Sequence, residues 1–346
     1  MAAGAFRFFL ATVVLVFHYS SFGVGHTPVY LFFALSGYWV YSMWHNKYEF
    51  TREPYMTFVI SRIWRLAPVF LLCSLSALAI AMILPLIVPP QVPFASVDKL
   101  AWLSSFLIAG YNTASGAPLT PAWSLDIELQ FYFVAPLIIL VLKKRPMLVV
   151  GVCLALSVAS IVMFYDRVFL SYVPCFVAGL LAAKYPALKP TRQIAIGSAA
   201  LTLFVIAVFA CVPALRPILF GGAHHSPLYI AYNPILNIGL AVLALPFAFS
   251  TVSVRSSRFD RFLSDASYSL YLVHWLPLLF VSHYATHLSS LPSPVRALVT
   301  MPLILLSFAL SGAITQFIDR PCSRVRERFV KQRRINHQPA PVGVTS

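Results

Sequence analysis

Three ionisable side chains stand where a membrane-embedded chain can least tolerate them: His18, Glu128 and His274, each inside a long apolar run. An ionisable group at such a position is costly and marks a functional site by default. Among the ten acidic residues, only Asp126 and Glu128 fall within an apolar run. His18 has the chemistry of a general base, because a neutral imidazole titrates near the working pH and can take a proton from a hydroxyl. Arg7 lies eleven positions before His18. At about 100° per residue that separation closes on roughly three full turns, so the two share one helix face. A fixed cation low on the face and an imidazole deeper suit an anion that reaches inward. The bland alternatives are a snorkelling arginine and a structural histidine. Arg62 and Arg65, at i and i+3, also share a face. They precede an apolar run marked by Pro68, so they read as lying at a helix N-terminus, where two cations invite an anion such as phosphate. Ordinary loop charge is the alternative there.

The elements that must hold these groups follow from composition. Of 346 residues, 60% are apolar and only 10% charged, far below the roughly one quarter charged in soluble domains. A spanning helix needs about 20 apolar residues. Ten stretches qualify: 5–22, 27–45, 67–88, 124–142, 147–165, 168–184, 193–212, 228–250, 267–288 and 296–318. The expected fold is all-α and polytopic, with about ten transmembrane helices and a short re-entrant or interfacial segment near 100–110. Residues 1–330 read as one membrane domain. Residues 331–346 read as a basic, Pro-containing, disordered tail.

With the N-terminus inside, twenty-one of the 25 basic residues fall on the inner side. Only Lys99, Arg167, Arg216 and Arg296 fall outside. That bias places both termini in the cytoplasm. The net charge of +15 is thereby a matter of orientation and gives no ground for nucleic-acid binding. The first apolar run lacks a small-residue cleavage site and reads as a retained span. Five scattered cysteines give neither a disulfide framework nor metal spacing. His283 and His287 are four apart but have no third ligand, and His224 and His225 read as loop residues, so no metal is expected.

Several of these segments resemble the acyltransferase-3 family of integral membrane O-acyltransferases, over nearly the whole stretch from Arg7 to Pro321. Arg7, ten residues and His18 match its first-span pattern. Phe32-Phe33-Ala34-Leu35-Ser36-Gly37-Tyr38 is similar to its Phe-Phe-x-Leu-Ser-Gly-Phe segment, with Tyr38 for Phe. Arg62-Ile63-Trp64-Arg65-Leu66-Ala67-Pro68 resembles its Arg-x-x-Arg motif. The run from Trp123-Ser124-Leu125 through Glu128 to Gln130-Phe131-Tyr132 resembles its Trp-Ser-Leu-x-x-Glu segment. Ser267-Tyr268 through Tyr271 to His274 is similar to its late Ser-Tyr-x-Leu-Tyr-Leu-x-His segment. Asp319-Arg320-Pro321 stands where Glu-Arg-Pro is usual.

The resemblance implies an inner-membrane acyltransferase that moves an acyl group, acetyl by family frequency, from cytoplasmic acyl-CoA to a hydroxyl of a carbohydrate, free or lipid-linked. Arg7, Arg62 and Arg65 would hold the phosphates of acetyl-CoA. His18 would be the base, with Glu128 orienting it, and an acyl-His18 intermediate is the alternative route. Ser36, Trp123, Ser124, Tyr271 and His274 would shape the site. A proton-coupled transporter is the rival reading of the same buried groups; it would call for inverted repeats or broken helices, and the sequence has no such symmetry.

Overall fold

The computed structural model describes residues 1–87, 99–114, 117–164, 168–221, 225–283 and 293–335. They form helices and connecting turns: α1 (Ala3–Tyr19), α2 (His26–Met43), α3 (Pro54–Ile87), α4 (Lys99–Phe106), α5 (Trp123–Lys144), α6 (Pro146–Phe164), α7 (Val173–Lys184), α8 (Arg192–Cys211), α9 (Arg216–Leu219), α10 (Pro227–Thr251), α11 (Arg258–Val273), α12 (Trp275–His283), α13 (Ser293–Ile314) and α14 (Arg320–Gln332). No strand occurs among the described residues. In a medium that offers no hydrogen bonds, helices satisfy every backbone group internally.

Six described stretches are long and apolar enough to cross a membrane, in α3, α5, α6, α8, α10 and α13–α14, and two shorter apolar helices cover 3–19 and 169–184. The chain is therefore a multi-pass membrane protein. The two remaining expected spans correspond to α2 and to the broken pair α11–α12. Both are more polar because they are enclosed by protein: half of α2 and the whole of 266–273 are buried, and the rest of α2 is half-buried. The outer helices show the opposite pattern. Leu201, Leu203 and Phe204 of α8 and Val158, Val162 and Met163 of α6 turn apolar side chains outward, as a lipid-facing surface requires.

Two boundaries differ from those expected of the sequence. Helix α3 begins at Pro54, so Arg62 and Arg65 lie well inside it, and Pro68 is an interior residue. At about 1.5 Å per residue, its 34 residues outrun a hydrocarbon core roughly 30 Å thick. The mixed segment before Pro68 is thus a helical extension, which apolar counting alone reads as a loop. At the other end, Lys331 and Gln332 still belong to α14. The backbone continues through an isolated bridge between Thr51 and Arg334, and the Ile335 amide donates to the Phe50 carbonyl. Residues 336–346 of the expected tail lie outside the described residues. The expected interfacial segment is α4, a short helix with Ala101, Ser104 and Ser105 buried and Leu100, Leu103 and Phe106 outward.

The core is set by two close helix pairs, α1 with α11 and α2 with α7. Helices α2 and α7 touch backbone to backbone: a Cβ on Gly37 would lie 2.1 Å from the Phe176 carbonyl oxygen, and one on Gly179 1.9 Å from that of Ala34. Small residues let membrane helices approach this closely. Gly179→Ala is expected to force the pair apart and cost about 1–3 kcal/mol, read as a lower melting temperature in detergent. An unchanged melting curve would show that the contact is soft.

Candidate active site

Each functional group is held by a specific local device. The N-terminus of α1 begins against protein: the Asp260 carboxylate of α11 accepts from the backbone amides of Gly4 (3.3 Å) and Ala5 (2.8 Å). A carboxylate at a helix N-terminus satisfies free amides and suits the helix dipole. Gly4 is required there, since a Cβ would fall 1.9 Å from the Asp260 carbonyl oxygen. This pins Arg7, one turn on, inside the bundle. At the far end, Asn237 of α10 accepts from both the Thr27 amide and hydroxyl, at 2.9 Å each, and fixes the start of α2.

At the Arg7 end, four arginines line one cavity of about 270 Å³: Arg7, Arg62, Arg65 and Arg326, with the carboxylates of Glu128 and Asp265. Two wide π-helical turns feed it. The first, Trp44–Tyr48, presents Tyr48, whose hydroxyl accepts from Arg62 at 2.8 Å. The second, Thr315–Asp319, presents Asp319, which pairs with Arg65 at 2.6 Å. Such π-turns are frequent at functional sites. Arg62 lies 5.5 Å from the Tyr48 ring centre and 5.9 Å from that of Tyr132. Of the four arginines, Arg65 alone has a carboxylate partner among the described ion pairs. The buried Nε atoms of Arg7, Arg62 and Arg326 make no hydrogen bond. Arginines that line a shared cavity with buried N–H groups unpaired are what a multiply charged anion needs.

Glu128 stands at the inner wall of that cavity. Its carboxylate accepts from Ser36 at 2.7 Å and from the Tyr132 hydroxyl. Beyond it lies a second, smaller cavity, about 50 Å³, that shares Arg7, Glu128 and Tyr268 with the first and ends on Phe32, Ser124 and Tyr271. Tyr271 and Ser124 share a 2.7 Å hydrogen bond across it. Asp126, the other acid in this run, is structural, since its carboxylate accepts from the Asn112 amide and from Gln130, at 3.0 Å each.

His18 sits past Tyr271, near the opposite end of α1. Its ring stacks on His274 (centroids 5.2 Å) and meets Trp275 (5.0 Å) and Phe17 (4.8 Å) edge to face. His274 is fully buried, its Nδ1 donates to the Leu270 carbonyl at 3.0 Å, and its Nε2 has no partner. That tautomer leaves a bare acceptor nitrogen beside His18. Trp123 is half-buried and packs on His26 (6.2 Å) and Tyr172 (5.6 Å), at the rim of the same aromatic cluster.

The expected groupings are thus redistributed. Arg7, Arg62 and Arg65 line one cavity, Ser124 and Tyr271 line the second, and His274 stacks on His18. Ser36 holds Glu128. Glu128, however, does not pair with His18: the ionisable groups electrostatically close to His18 are His274 and His26. Sequence reasoning missed Arg326, Tyr132, Tyr268 and His26. Tyr132, at i+4 from Glu128, is the one that helix spacing could have supplied. Among the described residues no three His, Cys, Asp or Glu side chains gather as metal ligands. The His283 side chain and residues His224 and His287 lie outside the described set.

Comparison with known proteins decides the family. A family model described as an acyltransferase domain matches residues 3–315. The chain belongs to the acyltransferase-3 family. As a member of that family it is an acyltransferase enzyme, which sets aside the transporter reading. The exopolysaccharide production protein ExoZ of Rhizobium meliloti (strain 1021) is 28% identical over 319 residues, covering 88% of this chain and 91% of that protein. No solved structure matches. In this acyltransferase the two cavities share Arg7, Glu128 and Tyr268, and the His274 ring that stacks on His18 lies 6.4 Å from the ring of Tyr271 at the end of the second cavity.

Proposed function

We propose that this acyltransferase carries an acyl group, acetyl in the first instance, from acyl-CoA at the arginine cavity to a carbohydrate hydroxyl at the His18 end. The observation that carries the reading is a succession of neighbouring groups: unpaired guanidinium N–H groups, then Arg7, Glu128 and Tyr268 shared by both cavities, then the ring contacts from Tyr271 to His274 and from His274 to His18. From Arg7 to His18 the helix rises about 16 Å, comparable to the pantetheine arm. The excess of basic residues around the arginine end supports the inner membrane as location and the cytoplasm as the donor's side. The relative's printed role in exopolysaccharide production supports a carbohydrate acceptor, in a polysaccharide or its lipid-linked precursor.

In the proposed reaction the phosphates of the donor rest on Arg7 and Arg62, with Arg65 held by Asp319. The thioester passes Tyr271 as its bond to Ser124 yields. The acceptor O–H gives its proton to the His18 imidazole while the oxygen attacks the thioester carbonyl. The tetrahedral intermediate expels CoA thiolate, which takes the proton back from His18. The bare Nε2 of His274 offers an acceptor beside the transient imidazolium. Glu128 fixes Tyr132 and lines both cavities beside Arg7, and it takes no proton from the substrate. Mass spectrometry of envelope glycans from strains with and without the gene is expected to show one ester lost on deletion and regained on complementation. Identical glycans would sink the carbohydrate acceptor.

A further inference from the structure

The basic run after Asp319 supplies one arginine to the interior. Helix α14 is amphipathic and lies along α3, with Phe329 5.8 Å from Trp64 and Val330 buried. Its end is tied to the segment before α3: the Arg52 amide donates to the Arg333 carbonyl at 2.8 Å, and the Ile335 amide to Phe50 at 2.9 Å. This seat turns Arg326 inward while Arg324 and Arg328 stay exposed. Arg326 lines the arginine cavity with Arg7, Arg62 and Arg65. Its Nε and Nη1 are buried and make no hydrogen bond. The cations Arg62 and Arg65 act on it most strongly. Two carboxylates act on it, that of its exposed neighbour Glu327 and that of Asp319, which is already paired with Arg65, and neither forms an ion pair with Arg326 among the described residues.

A surface arginine is free to swing its head group into water. One that lines a cavity beside two like charges, with two buried N–H groups unpaired, is placed for an anion. We propose that Arg326 binds a phosphate group of the acyl-CoA donor, so that α14, which lies beyond the 3–315 stretch matched by the family model, forms one wall of the donor site. This rests on the acyl-CoA reading above. Three guanidiniums without carboxylate partners then meet a donor whose nucleotide end carries several negative oxygens, and each planar fork can engage two of them.

The test uses the full chain in nanodiscs and isothermal titration with CoA and with pantetheine, which lacks the phosphates. Arg326→Ala is expected to weaken CoA binding about tenfold to a hundredfold, the scale of one or two charge-assisted hydrogen bonds. Pantetheine binding should be unchanged, Arg326→Lys should recover part of the loss, and Arg328→Ala should match wild type. Dephospho-CoA locates the contact: a loss that disappears with it assigns the 3′-phosphate, and one that persists assigns the pyrophosphate. If Arg326→Ala does not fold, Arg326→Gln, which keeps most of the stem, takes its place. Wild-type CoA affinity in either variant overturns the proposal alone, as does an equal loss for CoA and pantetheine. Absence of CoA binding by the wild type overturns the donor reading and this one with it.

Discussion

His18→Ala is expected to lower acyl transfer by about 10²–10⁴, the usual contribution of a positioned general base, while CoA binds as before. The geometry separates the two effects. His18 lies near the end of α1 away from the arginines, and its ring touches Phe17, His274 and Trp275, none of which lines the arginine cavity. Its loss removes the group that takes the hydroxyl proton and leaves the donor's seat intact. It also removes a face of the stack on His274, so His18→Gln, which keeps bulk and polarity, is the companion variant. Both are measured as ester formed per minute by purified protein, with CoA titration as the binding control. Turnover at the wild-type rate in folded His18→Ala would remove the central group from the scheme. A fall in turnover matched by an equal loss of CoA binding would make His18 a packing residue.

The helices were legible because ten apolar runs are separated by prolines and charges, and the burial of α2 explains why even its more polar run folds with the rest. What axial counting cannot supply is the offset between helices. The sequence gauges His18 at about 16 Å and Glu128 at about 22 Å from one surface, which allows them to meet. In the structure Glu128 shares both cavities with Arg7 instead. The gauge assumes that α1 and α5 start from one plane, whereas α1 begins inside the protein on Asp260 and α5 continues to Lys144. Arg7, Arg62 and Arg65 could be found by spacing, since they sit on helix faces with recognisable neighbours. Arg326 could not, because nothing in a run of arginines says which one a helix will turn inward. The Ser36-Gly37 pair shows the reverse case, a short motif whose two residues have separate physical reasons: one holds Glu128, the other lets α7 approach.

Arg62 and Arg65 look equivalent in sequence, and their variants are expected to fail differently. Arg62 is 7% exposed, gives one N–H to the Tyr48 hydroxyl, and has a free buried Nε. Arg62→Ala therefore removes a charge that no carboxylate depends on. Its expected result is weaker CoA binding, about tenfold or more, in a protein that melts near the wild-type temperature. Arg65 holds Asp319, which is 2% exposed and whose second oxygen already lacks a partner. Arg65→Ala strands that carboxylate, and breaking a buried pair on one side costs about 3–5 kcal/mol. The expected result is a large loss of thermal stability, partly recovered by Asp319→Asn in the same chain, because the neutral amide no longer needs the cation. The two variants thus form a pair of readouts: CoA titration moves for Arg62, melting temperature for Arg65. If Arg62→Ala binds CoA as tightly as wild type, the arginine cavity is an anchor for orientation and the donor must rest elsewhere. If Asp319→Asn gives no recovery, the 2.6 Å pair is not what holds the π-turn against α3.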